Sequence, residues 1–254
     1  MRLRRLAALV ALAGAVASCS PEYALYPRLR QRKPALGPIE VISVASFVPG
    51  GRDVDSLRSR QLAQAVLRMS MEGLERRNYA TANDTGSAIA CFHDAQMRYL
   101  VGVPYGAGDF SPALVDAGPS CVAGDVSLAD PQPSTTLRRL LRALRLPADN
   151  GQIPDDSLRQ ALAFHQATGL DQVLVTETYV RTVPLGKQIA EGVVSGVFTL
   201  GHIITWEHSQ TIVNVYLIDG TSGNVLWYDA SMMEAGGEPE AMARLMGSVF
   251  ERFP

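Results

Sequence analysis

The run Ile39 to Phe47, IEVISVASF, constrains this chain more than any other stretch. It is rich in β-branched residues, and Val41, Ser43, Ala45 and Phe47 alternate with Ile42, Val44 and Ser46, which predicts a first, well-buried strand. Pro49-Gly50-Gly51-Arg52-Asp53 breaks it, and Asp53 or Asp55 can cap a helix that follows. Along that helix Leu62, Val66, Met69 and Gly73 form one row with Ala63, Leu67 and Leu74 beside it, while Arg58, Arg60, Arg68, Arg76 and Arg77 fall on the wet side. Asn78 suits a left-handed terminator, and Tyr79 to Ala82 predicts a short second strand returning parallel to the first, a right-handed βαβ unit.

What precedes this unit reads as an export signal. Arg2, Arg4 and Arg5 are followed by an uncharged run from Leu6 to Val16, two small residues and Cys19, the charged, apolar and cleavage-site order of a secretory leader. The apolar run is too short to span a bilayer, where about 20 residues are needed. Val16-Ala17-Ser18-Cys19 resembles the lipobox of bacterial lipoproteins, in which a peptidase cuts before the cysteine and the cysteine carries lipid. An ordinary leader cut near Ala15 or Ala17 is the competing reading. Residues 20 to 38 carry Pro21, Pro27, Pro34 and Pro38 around Arg28, Arg30, Arg32 and Lys33, an extended tether able to rest on anionic head groups. Loss of residues 1 to 18 would take three arginines and no acid, moving the formal charge from −2 to −5. That balance gives no electrostatic footprint for nucleic acid.

The chain has three cysteines. With Cys19 assigned to lipid, Cys91 and Cys121 remain, and an oxidising compartment would let them close a loop of about 30 residues, worth about 3 kcal/mol in the chain-entropy account. Two buried free thiols are the alternative. A metal pair is disfavoured because His93 is the nearby ligand type and zinc takes three or four.

Residues 83 to 133 hold many glycines and prolines and read as an irregular, loop-rich insertion reaching to about residue 155. Gly102, Gly106 and Gly108 lack the lysine and following helix of a phosphate loop. Two amphipathic helices are expected from Thr135 to Leu146 and from Asp156 or Ser157 to Thr168. The pair is similar to the helical repeat of peptidoglycan-binding domains in Phe164 and Gly169-Leu170, with His165 replacing a glutamine. Two ordinary helices packed on a sheet explain it as well. Gln172 to Val180 predicts a strand, and Gln210 to Ile218, the Asp219 to Asn224 turn and Val225 to Ser231 predict an antiparallel hairpin. Glu238-Pro239-Glu240 opens a last helix whose buried stripe is Met242, Leu245, Met246, Val249, Phe250 and Phe253.

Four features together carry a family resemblance: Pro38 with Ile39 to Phe47, the helix from Ser56 to Arg77, Gly169-Leu170-Asp171 before a strand, and Asp219 through Gly223 to Leu226-Trp227. In these the chain resembles the superfamily of the TolB amino-terminal domain and the curli-secretion lipoprotein CsgG, over about 150 residues; the long insertion at 83 to 155 departs from it. The resemblance implies a periplasm-facing, outer-membrane lipoprotein that works through protein contacts in envelope assembly or export, without shared catalytic residues. The pattern itself predicts an α/β fold: a mixed-sheet sandwich that starts with a βαβ unit and ends in an antiparallel hairpin and a helix, residues 39 to 254 forming one domain.

Residues 192 to 205 are apolar, with Gly192 and Gly196 in GxxxG spacing, then Phe198, Gly201 and nearby Trp206. Glu191 and Glu207 flank a stretch too short for a membrane helix, and it does not alternate as a barrel hairpin would. A segment docked on the domain or on a neighbouring subunit is the preferred reading. Glu177 with His202 or His208 could form an acid/base pair, although a strand glutamate is expected to face solvent. Trp227 reads as an anchor. No metal, triad or cofactor spacing is present, so the expectation is a non-enzyme without cofactor. Its expected partners are the bilayer through acylated Cys19, other envelope proteins or a second copy, and peptidoglycan. A secretion-channel subunit or a wall tether is the alternative.

Overall fold

The computed structural model describes residues 36–50, 54–82, 88–93, 98–104, 110–116, 119–124, 128, 130–144, 155–183, 209–233 and 237–254. The β-branched run forms β1 (Glu40–Pro49), in which every residue but the last is buried. Burial on both sides of a strand requires a covering layer on each face. Helix α1 (Ser56–Arg76) follows, capped by Asp55, whose Oδ1 accepts the Arg58 N–H at 3.0 Å. Asn78, at φ 61°, ends it in the left-handed region. The expected strand at Tyr79 to Ala82 is reduced to a single parallel bridge, Ile39 to Thr81. The long parallel partner of β1 comes later in the chain.

The insertion is more regular than its composition suggests. It contributes β2 (Ala88–His93), β3 (Arg98–Pro104), β4 (Phe110–Asp116) and β5 (Pro119–Gly124). β3 and β4 form a separate two-stranded sheet, whereas β5 pairs antiparallel with β1 and β2 pairs antiparallel with β5. Helices α2 (Pro131–Leu144) and α3 (Asp155–Thr168) come next, then β6 (Gln172–Thr182), β7 (Gln210–Asp219), β8 (Asn224–Met233) and α4 (Pro239–Arg252). α2 begins four residues before the expected Thr135. Prolines are tolerated in a first turn, whose N–H groups have no helical acceptor, and the Thr135 and Thr136 hydroxyls bond back to Pro131 and Pro133 carbonyls.

The main sheet runs β2-β5-β1-β6-β7-β8, with β1 and β6 parallel and every other neighbouring pair antiparallel. Strand alternation divides its side chains between two cores. On one face α1 and α4 pack Val66, Leu67, Leu74, Met246, Val249 and Phe250 against Val41, Ala45, Leu174 and Val215. On the other, Leu137, Leu140 and Leu141 of α2 and Phe164 of α3 pack against Ile42, Val44, Val175 and Tyr216. The result is the expected α/β sandwich in three layers, with a helix pair on each face.

The sequence-end helix is fastened to α1. Arg77 Nε donates to the Phe250 carbonyl at 2.8 Å and its Nη2 to the Glu251 carbonyl, while the Tyr79 hydroxyl donates to Pro254 O at 3.0 Å. Phe253 is buried between Tyr79 and Trp227, both ring contacts edge-on at 5.2 and 4.7 Å.

Candidate functional site

Strand direction sorts the connections between the two ends of the sheet. The starts of β1 and β6 lie with the end of β7, and Leu36, Gly37 and Pro38 lie at this end. The chain leaves the sheet for the connections at 94–118 and 183–209 from the opposite end, where β2 and β6 finish and β5 and β7 begin.

At the end where β1 and β6 start, Leu36, Gly37, Pro38, Asp171, Gln172, Asp219 and Thr221 line a depression of about 370 Å³. The β7–β8 turn supplies Asp219 and Thr221 to its lining. Asp219 Oδ1 accepts from the Thr221 N–H and hydroxyl at 3.2 and 2.6 Å, and Oδ2 accepts from the Ser222 hydroxyl at 2.7 Å, so turn donors hold this carboxylate. Gly220 is required by close approach: a Cβ there would stand 2.4 Å from the Leu170 carbonyl oxygen. His165 Nδ1 donates to that same carbonyl at 2.9 Å, which fixes the proton on Nδ1.

The cysteine pair lies toward the β2 edge. Cys91 and Cys121 occupy directly opposite positions of the β2–β5 ladder, with their sulfurs at disulfide distance, 2.04 Å. Ala45 opposes Cys121 on β1, and the pair lies under the beginning of α1. Cys121 is fully buried beside Ser56, whereas Cys91 is partly exposed and its Sγ accepts from Arg60 Nε at 3.1 Å. Adjacent antiparallel positions bring two Cβ atoms within reach of one bond without a loop to bridge them.

Glu177 departs from its expected solvent-facing position. It is 0% exposed on β6, between Val44 of β1 and Asn214 of β7, because β6 is an interior strand covered on both faces. Ser46 and Ser120 share a buried hydrogen bond of 2.8 Å on the same side of the sheet. His202 and His208, the residues considered for pairing with Glu177, lie outside the described residues. So do Cys19 and the expected contact residues Gly192, Gly196, Phe198, Gly201 and Trp206. Trp227, 4% exposed, is a core anchor.

Among the described residues no group of three or more His, Cys, Asp or Glu is placed to hold a metal ion, and no helix is long and apolar enough to cross a membrane. Sequence reasoning missed the contribution of Arg60, which its place in a row of solvent-facing arginines concealed. It also missed the depression lined by Leu36, Asp171 and Asp219, assembled from three segments far apart in the chain. Compared with protein families, curated proteins and solved structures, the chain matches none.

Proposed function

We propose that this chain is a lipid-anchored, periplasm-facing envelope protein that acts through protein–protein contacts in the assembly or export of surface components. The observation that supports this reading most is the cysteine pair. Two cysteines directly opposed on neighbouring strands suit an oxidising compartment, which is where the order Arg2 to Cys19 would send the chain. In this reading Cys91 and Cys121 form a disulfide, Cys19 carries acyl chains, and residues 20 to 38 hold the domain off the outer membrane. The tether joins the domain at one end of the sheet. The opposite end, where the 94–118 and 183–209 connections depart, would then be the end presented to partners.

In-cell crosslinking followed by affinity purification and membrane fractionation tests the reading. The expected result is recovery in the outer-membrane fraction with one or a few envelope proteins attached, and loss from that fraction for Cys19→Ala, which can be neither acylated nor cut at residue 19. Recovery from the cytoplasm, or an unchanged outer-membrane fraction for Cys19→Ala, would contradict it.

A further inference from the structure

The two sulfurs of the cysteine pair have different surroundings. Cys121 is fully buried, and its Sγ lies 3.5 Å from the Ser56 carbonyl oxygen, a group that accepts from a thiol and repels a thiolate. Cys91 is partly exposed on β2, the strand at the sheet edge, and Arg60 Nε donates to its Sγ at 3.1 Å. A guanidinium at that distance favours the thiolate, the form that acts as nucleophile. Exposure and charge therefore single out the same sulfur. Arg60 comes from α1 and is itself exposed, so its contact with Cys91 is open to an approaching partner.

We propose that Cys91 is the thiol–disulfide exchange site of this protein, with Arg60 as its positioning residue and Cys121 as the resolving cysteine; the partner is a protein carrying a reactive dithiol or disulfide. In oxidation, the Cys91 thiolate attacks one sulfur of the partner's disulfide. A Cys91–partner S–S bond forms, the partner's S–S bond breaks, and the partner's other sulfur leaves as a thiolate. Cys121 then gives up its proton to solvent and attacks Cys91 Sγ, forming the Cys91–Cys121 bond and releasing the partner's second thiolate. The chain loses two electrons and the partner's disulfide becomes a dithiol. Reduction reverses these steps: a partner thiolate attacks Cys91, the accessible sulfur, and Cys121 leaves and takes up a proton beside the Ser56 carbonyl.

The proposal rests on the reading that Cys91 and Cys121 pair, and the test separates the two. Peptide mapping of the untreated full chain without reductant reads the pairing itself. The same protein, reduced with dithiothreitol, desalted and exposed to limiting iodoacetamide, gives the alkylation rate of each cysteine by mass spectrometry, with Cys19 resolved on its own peptide. Cys91 is expected to react about tenfold faster than Cys121, and the difference to vanish in denaturing urea. Arg60→Gln slows Cys91 severalfold without changing Cys121, and Arg60→Lys restores the rate. With glutathione disulfide, Cys121→Ser accumulates a mixed disulfide at Cys91, and Cys91→Ser accumulates about tenfold less at Cys121. A linked peptide combined with equal rates, a faster Cys121, or a Cys91 rate indifferent to Arg60→Gln would overturn the exchange site and leave the pairing standing. Absence of the linked peptide would overturn both.

Discussion

Gly73 places the packing of α1 against α4 under a direct test. An ideal Cβ at this position would stand 2.5 Å from both Cδ2 and Cγ of Phe250 and 2.7 Å from Cδ1. Carbon atoms in contact sit about 3.5–4.0 Å apart, so Gly73→Ala requires the ring to withdraw by about 1 Å. Phe250 cannot do this cheaply. Its Cγ is the root of the ring, the residue is buried, and Arg77 holds its backbone carbonyl. Two effects oppose each other. Alanine in a helix interior is better than glycine by about 1 kcal/mol, and overpacking a core costs about 1–3 kcal/mol. A collision with the ring root puts the cost toward the upper part of that range, so Gly73→Ala should lose about 1–2 kcal/mol net. Urea unfolding followed by tryptophan fluorescence, with Trp227 packed on Phe253 beside this contact, measures it. With a slope of about 2 kcal/mol/M, the midpoint should fall by about 0.5–1 M. Gly247→Ala on α4 is the control: nothing lies within 4 Å of its Cβ position, so the propensity gain should appear alone. A Gly73→Ala protein as stable as the parent, or more stable, would show that the Phe250 ring yields at little cost.

Four further substitutions probe single polar groups. Thr178 Oγ1 is buried without a hydrogen-bond partner, so Thr178→Val keeps the shape, removes an unsatisfied group and should raise the urea midpoint, by about 1 kcal/mol in stability. Ser70→Ala has the opposite sign, because it breaks the 3.1 Å bond between Ser70 and Thr176 on the same core face; calorimetry should show a loss of about 1–2 kcal/mol. Asp219→Ala strips the β7–β8 turn of an acceptor for three donors and should cost about 1–2 kcal/mol, with hydrogen exchange accelerated at Thr221. Asp55→Ala removes the α1 cap, and thermal unfolding should report a loss of about 1 kcal/mol.

The elements that could be read directly from the sequence are those with a strong period and clear punctuation. β1 is an unbroken β-branched run, α1 has an apolar row between Asp55 and Asn78, and the β7–β8 hairpin is marked by its Asp/Gly/Asn turn. Composition misled between residues 83 and 133. Pro104 ends β3, Pro119 begins β5, and Pro112 lies in a ribbon of only two strands, all positions where the missing N–H is tolerated. Such strands are too short and too rich in glycine and proline to stand out from loops. The burial of Glu177 was hidden for a different reason. A strand's own residues do not reveal whether it lies inside a sheet, and β6 is interior because β7 and β1 flank it. Cys91 and Cys121 could be paired by counting cysteines, but the contact of Arg60 with Cys91 needs α1 laid across the β2–β5 edge, which no local pattern encodes.

The mass of the amino-terminal peptide, from protein extracted out of the membrane fraction, tests the lipid anchor most directly. The mature chain is expected to start at Cys19 and to carry the mass of a diacylglyceryl group and an amide-linked acyl chain. A chain that begins at Met1, or one cleaved near residue 18 without added lipid, would contradict it.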